Sequence, residues 1–138
     1  MIRAAESRVV RGWAVFDLVV TALLALPPAA ALFLQVLYAV NGRLGGASAV
    51  PAFEPVQWFF VCLTGAMGVA WAAARILMPL RTLGRVDAIA RLWVTFLILY
   101  FVFARGAPPV LLAFCATELA GALHQIWALR SSAREARW

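Results

Sequence analysis

The chain has 138 residues, of which 65% are hydrophobic and only 13% charged, whereas a soluble domain is about half apolar and about a quarter charged. This composition excludes an ordinary soluble domain and favours a helical membrane protein. The net charge of +6 comes from twelve arginines and six acidic residues, and the arginines fall between apolar segments, so we expect no nucleic-acid partner.

Four apolar segments predict an all-α, polytopic membrane bundle in a single domain over residues 1–138. The predicted spanning helices cover residues 12–26, 56–77, 87–104 and 109–129, and the later ones approach the ~20 residues that cross the hydrocarbon of a bilayer. Pro27 and Pro28 should end the first helix, because proline lacks an N–H and disfavours helical backbone in the residue before it.

The segment after the two prolines predicts an extra interfacial helix over residues 29–42. Polar side chains share one of its faces and apolar side chains the other; these are Gln35, Tyr38 and Asn41 or Gly42, against Leu32, Val36, Val40 and Leu44. A loop then leads to the second spanning helix, where Glu54 is placed to cap the helix and Pro55 occupies its first turn.

The arginines predict the orientation of the chain. Ten of the twelve precede the first spanning helix, surround the connection between the second and third, or follow the fourth; the two on the opposite side are Arg43 and Arg105. Because cytoplasmic loops carry the excess of arginine and lysine, both termini should be cytoplasmic. We expect a multi-pass protein of a bacterial inner membrane.

Polar side chains inside the predicted spans are the candidate functional residues. A carboxylate in the hydrocarbon is costly unless it is paired, protonated or used, and Glu118 stands in the middle of the last span. The candidate intramembrane polar site comprises Asp17, Arg91, Glu118, His124 and Gln125. Asp17, Arg91 and His124 lie at similar predicted depths, so they are able to meet.

Helical spacing gives further expectations for this set. Asp87, Arg91 and Thr95 follow at steps of four, which puts them on one helix face and suits an Asp87–Arg91 pair. Glu118 and His124 are six residues apart and point in different directions. Any communication between them would therefore pass through a third helix or water.

Two interpretations of the polar residues stay open. In the first they fix helix register, with Arg91 neutralising Asp17 or Asp87, and with Glu118 protonated or bonded to Thr64. In the second they line a cavity open to the cytoplasm, in which Glu118 binds a cation or a proton.

Small residues and cysteines complete the pattern. Gly65, Gly68 and Ala72 share one helix face and predict close packing against another helix or a second copy of the chain. Cys62 and Cys115 are single cysteines in apolar sequence, which is typical of inert core residues. We expect neither a metal nor a cofactor, since no cluster has metal-ligand spacing.

The layout of "GWAVFDLVV", "PAFEPVQWFFVCLTGAMGVAWAAAR" and "GAPPVLLAFCATELAGALHQIW" resembles small four-helix bacterial membrane proteins of the DoxX-like and BphX-like kind. That resemblance implies an accessory role beside oxidative or aromatic-degradation machinery and assigns no functional residue. A looser similarity, in the order helix, interfacial segment and "P-x-x-W-F-F", is to the sterol-isomerase and sigma-two-receptor type of bundle, which holds an amine or sterol between acids. This chain departs from that type because its second spanning helix has no carboxylate.

These patterns favour a binding or accessory protein for a small hydrophobic molecule or a membrane partner, and not an enzyme. The alternatives are a proton-coupled carrier that works as an oligomer, and a sterol-isomerase-like or sigma-two-receptor-like protein that uses Glu118. The expected partners are the lipid bilayer, a small hydrophobic ligand, and a second copy or a larger membrane complex.

Overall fold

The computed structural model describes residues 4–135, and this part of the chain forms five α-helices without a strand. The helices are α1 (Ala4–Ala25), α2 (Pro27–Arg43), α3 (Pro55–Leu77), α4 (Arg81–Arg105) and α5 (Leu111–Glu135). The predicted all-α class is confirmed for this range. Large differences from the predicted spans are at the starts of α1 (Ala4) and α4 (Arg81), which reach into polar sequence, and Glu6 and Arg81 pair there at 2.9 Å.

Within residues 4–135, three helices are long and apolar enough to cross a membrane, namely α3, α4 and the Leu111–Arg130 part of α5. A fourth crossing results if α1 and α2 together form one broken span. By itself α1 falls short of this standard, since Glu6, Arg8, Arg11 and Asp17 interrupt its apolar residues. The architecture is compatible with a multi-pass membrane protein.

The break predicted at the two prolines is confirmed. Leu26 has extended backbone angles (φ −119°, ψ 127°), and α2 leaves α1 at 107°. Pro27 and Pro28 occupy the first turn of α2, where the missing N–H groups have no helical partner in any case. The prolines therefore begin the second helix as well as ending the first.

The remaining helix ends follow local capping rules. Glu54 precedes α3 at the N-cap position, as predicted, and its N–H donates to Gln57 Oε1 at 2.7 Å. At the end of α4, Gly106 adopts the left-handed conformation (φ 69°), and the next N–H, of Ala107, donates to Phe101 O at 2.9 Å.

The helices pack as two antiparallel pairs, α1 with α3 and α4 with α5. Small residues bring α3 onto α1, as their spacing predicts. A Cβ at Gly65 would overlap the backbone of Leu24 and Ala25, and one at Gly68 would lie 2.5 Å from Thr21 Cγ2. The face of α3 formed by Gly65, Gly68 and Ala72 therefore contacts a helix of the same chain.

One end of the bundle collects the start of α1, the start of α4 and the end of α5. A Cβ at Gly84 would lie 2.8 Å from Val10 Cγ2 and 3.1 Å from Leu129 Cδ1, so these three helix ends are in contact. We call this the basic end, because it carries the exposed residues Arg8, Arg11, Arg85 and Arg130. The opposite end carries the exposed residues Arg43 and Arg105.

The surface is apolar and much of the interior is polar. Phe103, Trp127 and Ile89 are 75%, 71% and 69% exposed, whereas three of the four largest fully buried side chains are Arg75, Gln125 and Asn41. Charged side chains are almost never fully buried in soluble proteins unless they are paired. This distribution is the one expected of a chain surrounded by lipid.

Candidate functional site

Five ionisable side chains from four helices meet in the half of the bundle near the basic end. We call them the buried ion cluster: Asp17 of α1, Arg75 of α3, Asp87 and Arg91 of α4, and Glu118 of α5. Their ion pairs connect helices within each antiparallel pair and across the two pairs.

Arg75 connects the two helix pairs. Its fully buried guanidinium donates from Nη2 to Asp17 Oδ2 at 2.6 Å, and its Nη1 lies 2.6 Å from Asp87 Oδ2. The guanidinium also lies 5.5 Å from the centroid of the Trp71 ring. A buried arginine needs such partners to offset the loss of water.

Arg91 contacts all three carboxylates of the cluster. Nε donates to Asp87 Oδ2 at 2.9 Å, Nη1 donates to Glu118 Oε2 at 3.0 Å, and Nη2 donates to Asp17 Oδ2. The side chain lies against Gly121 of α5, where a Cβ would come within 3.1 Å of Arg91 Cδ and Nη1. The predicted Asp87–Arg91 pair is present, and Arg91 pairs with Asp17 as well.

Asp87 is the most fully bonded acid of the cluster. Its Oδ1 accepts from Trp71 Nε1 at 2.8 Å, and its Oδ2 accepts from Arg91 Nε and from Gln125 Nε2 at 2.8 Å, in addition to the ion pair with Arg75. Gln125 is fully buried. Asp87 thus holds α3, α4 and α5 together.

His124 lies at the margin of the cluster. It is exposed, and its Nδ1 accepts from Trp13 Nε1 at 3.2 Å. The Trp13 ring lies under Arg91, with the guanidinium carbon 5.1 Å from the ring centroid. Trp13 of α1 therefore lies between His124 and Arg91.

Among the predicted site residues, the structure brings Asp17, Arg91, Glu118 and Gln125 together and leaves His124 outside. The suggested bond between Glu118 and Thr64 is wrong, because the Thr64 hydroxyl donates to Phe60 O at 2.8 Å. Thr64 lies on α3 toward the other end of the bundle, whereas Glu118 reaches Arg91.

Sequence reasoning left Arg75 out of the site, although a signal was available. Gly65, Gly68, Ala72 and Arg75 follow at steps of three, four and three, so Arg75 continues the face that packs onto α1. Because Arg75 lies near the end of α3, the sequence predicts for it only a role in setting the orientation of the chain in the membrane. Asp87 was recognised only as the partner of Arg91, and its other donors come from more distant helices.

The cluster has more negative than positive groups. Three carboxylates (Asp17, Asp87, Glu118) surround two guanidiniums (Arg75, Arg91), which leaves one negative charge when all five are ionised. Within residues 4–135, no hydrogen bond reaches Asp17 Oδ1 or Glu118 Oε1. Their side chains are also the two most exposed of the cluster, at 16% and 22%.

A polar cavity of about 220 Å³ adjoins these two acids. All five ionisable side chains of the cluster contribute to its lining, together with hydroxyl-bearing and aromatic residues; these further residues include Phe16, Thr21, Trp71, Phe114 and Thr117. It is large enough for a small polar group or several water molecules, since one water occupies about 30 Å³ in the liquid.

An apolar cavity of about 550 Å³ lies beside the polar one. All five helices contribute to it, and Phe33, Leu34 and Leu37 of α2 form one of its sides. The two cavities share three lining residues, which are Val20, Val94 and Phe114. A volume of this size is typical of sites for small ligands.

Asn41 fixes α2 beside the apolar cavity. This buried side chain accepts from Val110 N at 3.2 Å and donates to Ala47 O at 3.0 Å. It thereby bonds the end of α2 to the connection between α4 and α5. The residues of the predicted polar face of α2 do not share one environment, because Asn41 is buried whereas Gln35 is exposed.

Comparison with known proteins gave no matching family model, no matching curated protein and no matching solved structure. Among the described residues, no group of three or more histidine, cysteine, aspartate or glutamate residues is arranged to hold a metal ion. Cys62 and Cys115 are both free thiols. The function is therefore argued from the cluster and the two cavities.

Proposed function

We propose that this protein binds a small hydrophobic molecule with a polar end group inside the membrane. The observation that carries the proposal is that the 550 Å³ apolar cavity and the 220 Å³ polar cavity share Val20, Val94 and Phe114. An apolar body and a polar end group thus have adjoining sites, and pockets of this mixed kind are the usual sites for small ligands.

The membrane setting of the proposal is a bacterial inner membrane, with both termini in the cytoplasm. Its support is the arginine distribution, since the exposed arginines of the basic end outnumber those of the opposite end. In this placement α1 and α2 form the fourth crossing, with α2 near the outer interface. The ion cluster then lies in the cytoplasmic half of the bilayer and the apolar cavity lies further out.

The resemblance to DoxX-like and BphX-like proteins is part of the same proposal. It would make the bound molecule a hydrophobic compound handled by neighbouring membrane machinery, and the protein a binding or accessory subunit. Nothing in the cluster requires the protein to be a catalyst.

The test fills the apolar cavity and measures ligand binding. Val61 of α3 lines this cavity, whereas Leu63 of the same helix is 41% exposed and does not line it. We expect Val61→Phe to weaken binding of eight-carbon alcohols and amines about tenfold, or about 1.4 kcal/mol. Leu63→Phe adds a similar ring outside and should bind as the original protein does.

Binding is measured by isothermal titration of the purified protein in maltoside micelles, with protein-free micelles subtracted. Unfolding curves establish that both variants are folded. Equal affinities in all three proteins, or no binding by any probe, would refute the proposed function.

A further inference from the structure

We infer that a groove between α1 and α5 binds an anionic phospholipid of the surrounding membrane, with the lipid phosphate at Arg8 and His124 and an acyl chain toward Phe16. This site is separate from the two cavities of the proposed function and shares only Phe16 with the polar one. The inference takes only the membrane setting from the proposed function. It follows from the open shape of the groove, from the order of its residues, and from an arginine without an acid partner.

The groove is an open depression of about 410 Å³ on the flank of the bundle. One of its residues, His124, belongs to α5, and the others belong to α1; these are Arg8, Val9, Gly12, Trp13 and Phe16. Gly12 leaves space along α1, because a Cβ at this position would have no neighbour within 4 Å. The groove is therefore accessible to molecules that surround the bundle.

The residues of the groove change from polar to apolar along α1. Arg8 lies at the basic end, and Phe16 lies one groove length further on, about 12 Å away at a rise of about 1.5 Å per residue. Val9, Trp13 and Phe16 supply apolar surface beyond the arginine. A phospholipid has the same order, with a charged head group at the membrane surface and acyl chains beneath it. A free anion would leave the apolar part of the groove unused.

Arg8 is available to a phosphate group. Its side chain is exposed, and no carboxylate of residues 4–135 forms an ion pair with it, whereas Arg75, Arg81 and Arg91 are all paired with acids. A guanidinium suits phosphate because its planar N–H groups bind two oxygens at once. Basic pockets between membrane helices are typical binding sites for the head groups of anionic lipids.

His124 adds a neutral donor from the second helix. Its Nδ1 accepts from Trp13 Nε1 at 3.2 Å, so the neutral ring carries its proton on Nε2. The contact with Trp13 orients the imidazole, and Nε2 remains as the donor for a phosphate oxygen. The groove thus offers a cation from α1 and an N–H donor from α5.

The experiment compares ligands that separate the charge of the head group from the acyl chains. Dihexanoyl-phosphatidylglycerol is anionic, dihexanoyl-phosphatidylcholine is zwitterionic with the same chains, and glycerophosphoglycerol is the anionic head group without chains. Each is titrated calorimetrically into the full chain in maltoside micelles, with protein-free micelles subtracted. We expect the anionic lipid to bind about fivefold more tightly than the zwitterionic one, the effect of about one arginine near a membrane surface. The head group alone should give no measurable binding.

Two pairs of variants assign the binding to the groove. Arg8→Gln should bring the affinities of the two lipids within about twofold of each other. Arg85→Gln makes the same change at an exposed arginine of the basic end outside the groove and should keep the preference. Gly12→Leu places a side chain in the groove and should weaken both lipids about tenfold. Ala116→Leu adds the same side chain at an exposed position of α5 outside the groove and should bind as the original protein does.

Several outcomes would overturn the inference. These are equal affinities of the original protein for the two lipids, equal effects of Arg8→Gln and Arg85→Gln on the preference, and lipid binding that Gly12→Leu leaves intact. Binding of glycerophosphoglycerol as tight as that of the anionic lipid would instead make the groove a site for a free phosphate compound. If Gly12→Leu failed to fold, the comparison of Arg8→Gln with Arg85→Gln would still decide whether the groove holds the head group.

The two proposals fail independently. Val61→Phe fills the apolar cavity, which has no residue in common with the groove, and it should leave lipid binding unchanged. Gly12→Leu should likewise leave the binding of eight-carbon alcohols unchanged. Loss of one kind of binding in both variants would mean that the groove and the cavities form a single site.

Discussion

Arg75 Nη1 of α3 lies 2.6 Å from Asp87 Oδ2 of α4, and this ion pair bridges the two antiparallel helix pairs. Within each pair, glycines allow close packing. Between the pairs, the contacts include buried charges and the two cavities. If the bundle lies in a membrane, as proposed, apolar surfaces gain little from meeting each other, and the ions then supply an attraction that simple apolar packing would not.

Replacing Arg75 should therefore destabilise the protein more than any exposed arginine does. Arg75→Met leaves Asp17 and Asp87 with fewer cations, and we expect the free energy of unfolding to fall by about 3–5 kcal/mol. Arg85→Met, at an exposed site of the same bundle end, should change it by less than about 0.5 kcal/mol. Unfolding by sodium dodecyl sulfate in mixed micelles, followed by circular dichroism, measures both.

Replacing Gly65 or Gly12 by alanine should change the free energy of unfolding in opposite directions. A Cβ at Gly65 overlaps the backbone of α1 at Ala25, whereas one at Gly12 has no neighbour within 4 Å. Gly65→Ala should lower the free energy of unfolding by about 1–3 kcal/mol, because α1 and α3 must separate. Gly12→Ala should raise it by up to about 1 kcal/mol, since alanine is the better helix former. Equal effects in the same unfolding assay would contradict the close contact of α1 with α3.

Replacing Asn41 should destabilise the packing of α2 beside the apolar cavity. Asn41→Ala leaves the buried N–H of Val110 without its acceptor, which should cost about 1–3 kcal/mol. Amide hydrogen exchange should accelerate in α2 and around Val110 and stay unchanged at the basic end. Gln35→Ala, on the exposed side of the same helix, is the control and should leave exchange unchanged.

Much of the helical framework is predictable because its determinants are local. Prolines break and begin helices, Glu54 precedes Pro55 in a capping sequence, and Asp87 and Arg91 pair over one turn. Each of these features depends on residues within four positions of one another. The face formed by Gly65, Gly68 and Ala72 likewise follows from the period of the helix.

The ion cluster is less predictable because its members come from four helices. Arg75 is 58 residues from Asp17, and Arg91 is 27 residues from Glu118. Helical periodicity tells which residues share a face, but it does not tell which face meets which neighbour. That packing decides that Arg75 and Asn41 are buried and that Glu118 pairs with Arg91.

The orientation in the membrane is a separate prediction. If the basic end is cytoplasmic, a reporter fused after Trp138 should be active only when that reporter works in the cytoplasm. A reporter inserted at Ala47, in the loop between α2 and α3, should be active only in a periplasmic form. Activity of both fusions on the same side would require a different number of crossings, and reversal of both would invert the orientation.

Glu118 and Asp87 belong to one cluster, yet neutralising them should have opposite effects on stability. Glu118 has one bonded oxygen and a side chain that is 22% exposed. Asp87 has both oxygens bonded and a side chain that is 4% exposed. Glu118→Gln removes the uncompensated negative charge and keeps an oxygen that accepts from Arg91, so the free energy of unfolding should stay the same or rise slightly.

Asp87→Asn removes a charge that two arginines and two neutral donors share, and its new NH₂ group would face other donors. We expect a loss of about 3–5 kcal/mol, as for other broken buried ion pairs. Both variants differ from the original protein by one carboxylate, so their difference reports the local arrangement and not the net charge. If Glu118→Gln proved as damaging as Asp87→Asn in unfolding titrations without ligand, Glu118 would be a structural partner of Arg91, and its carboxylate would not be free to receive a ligand.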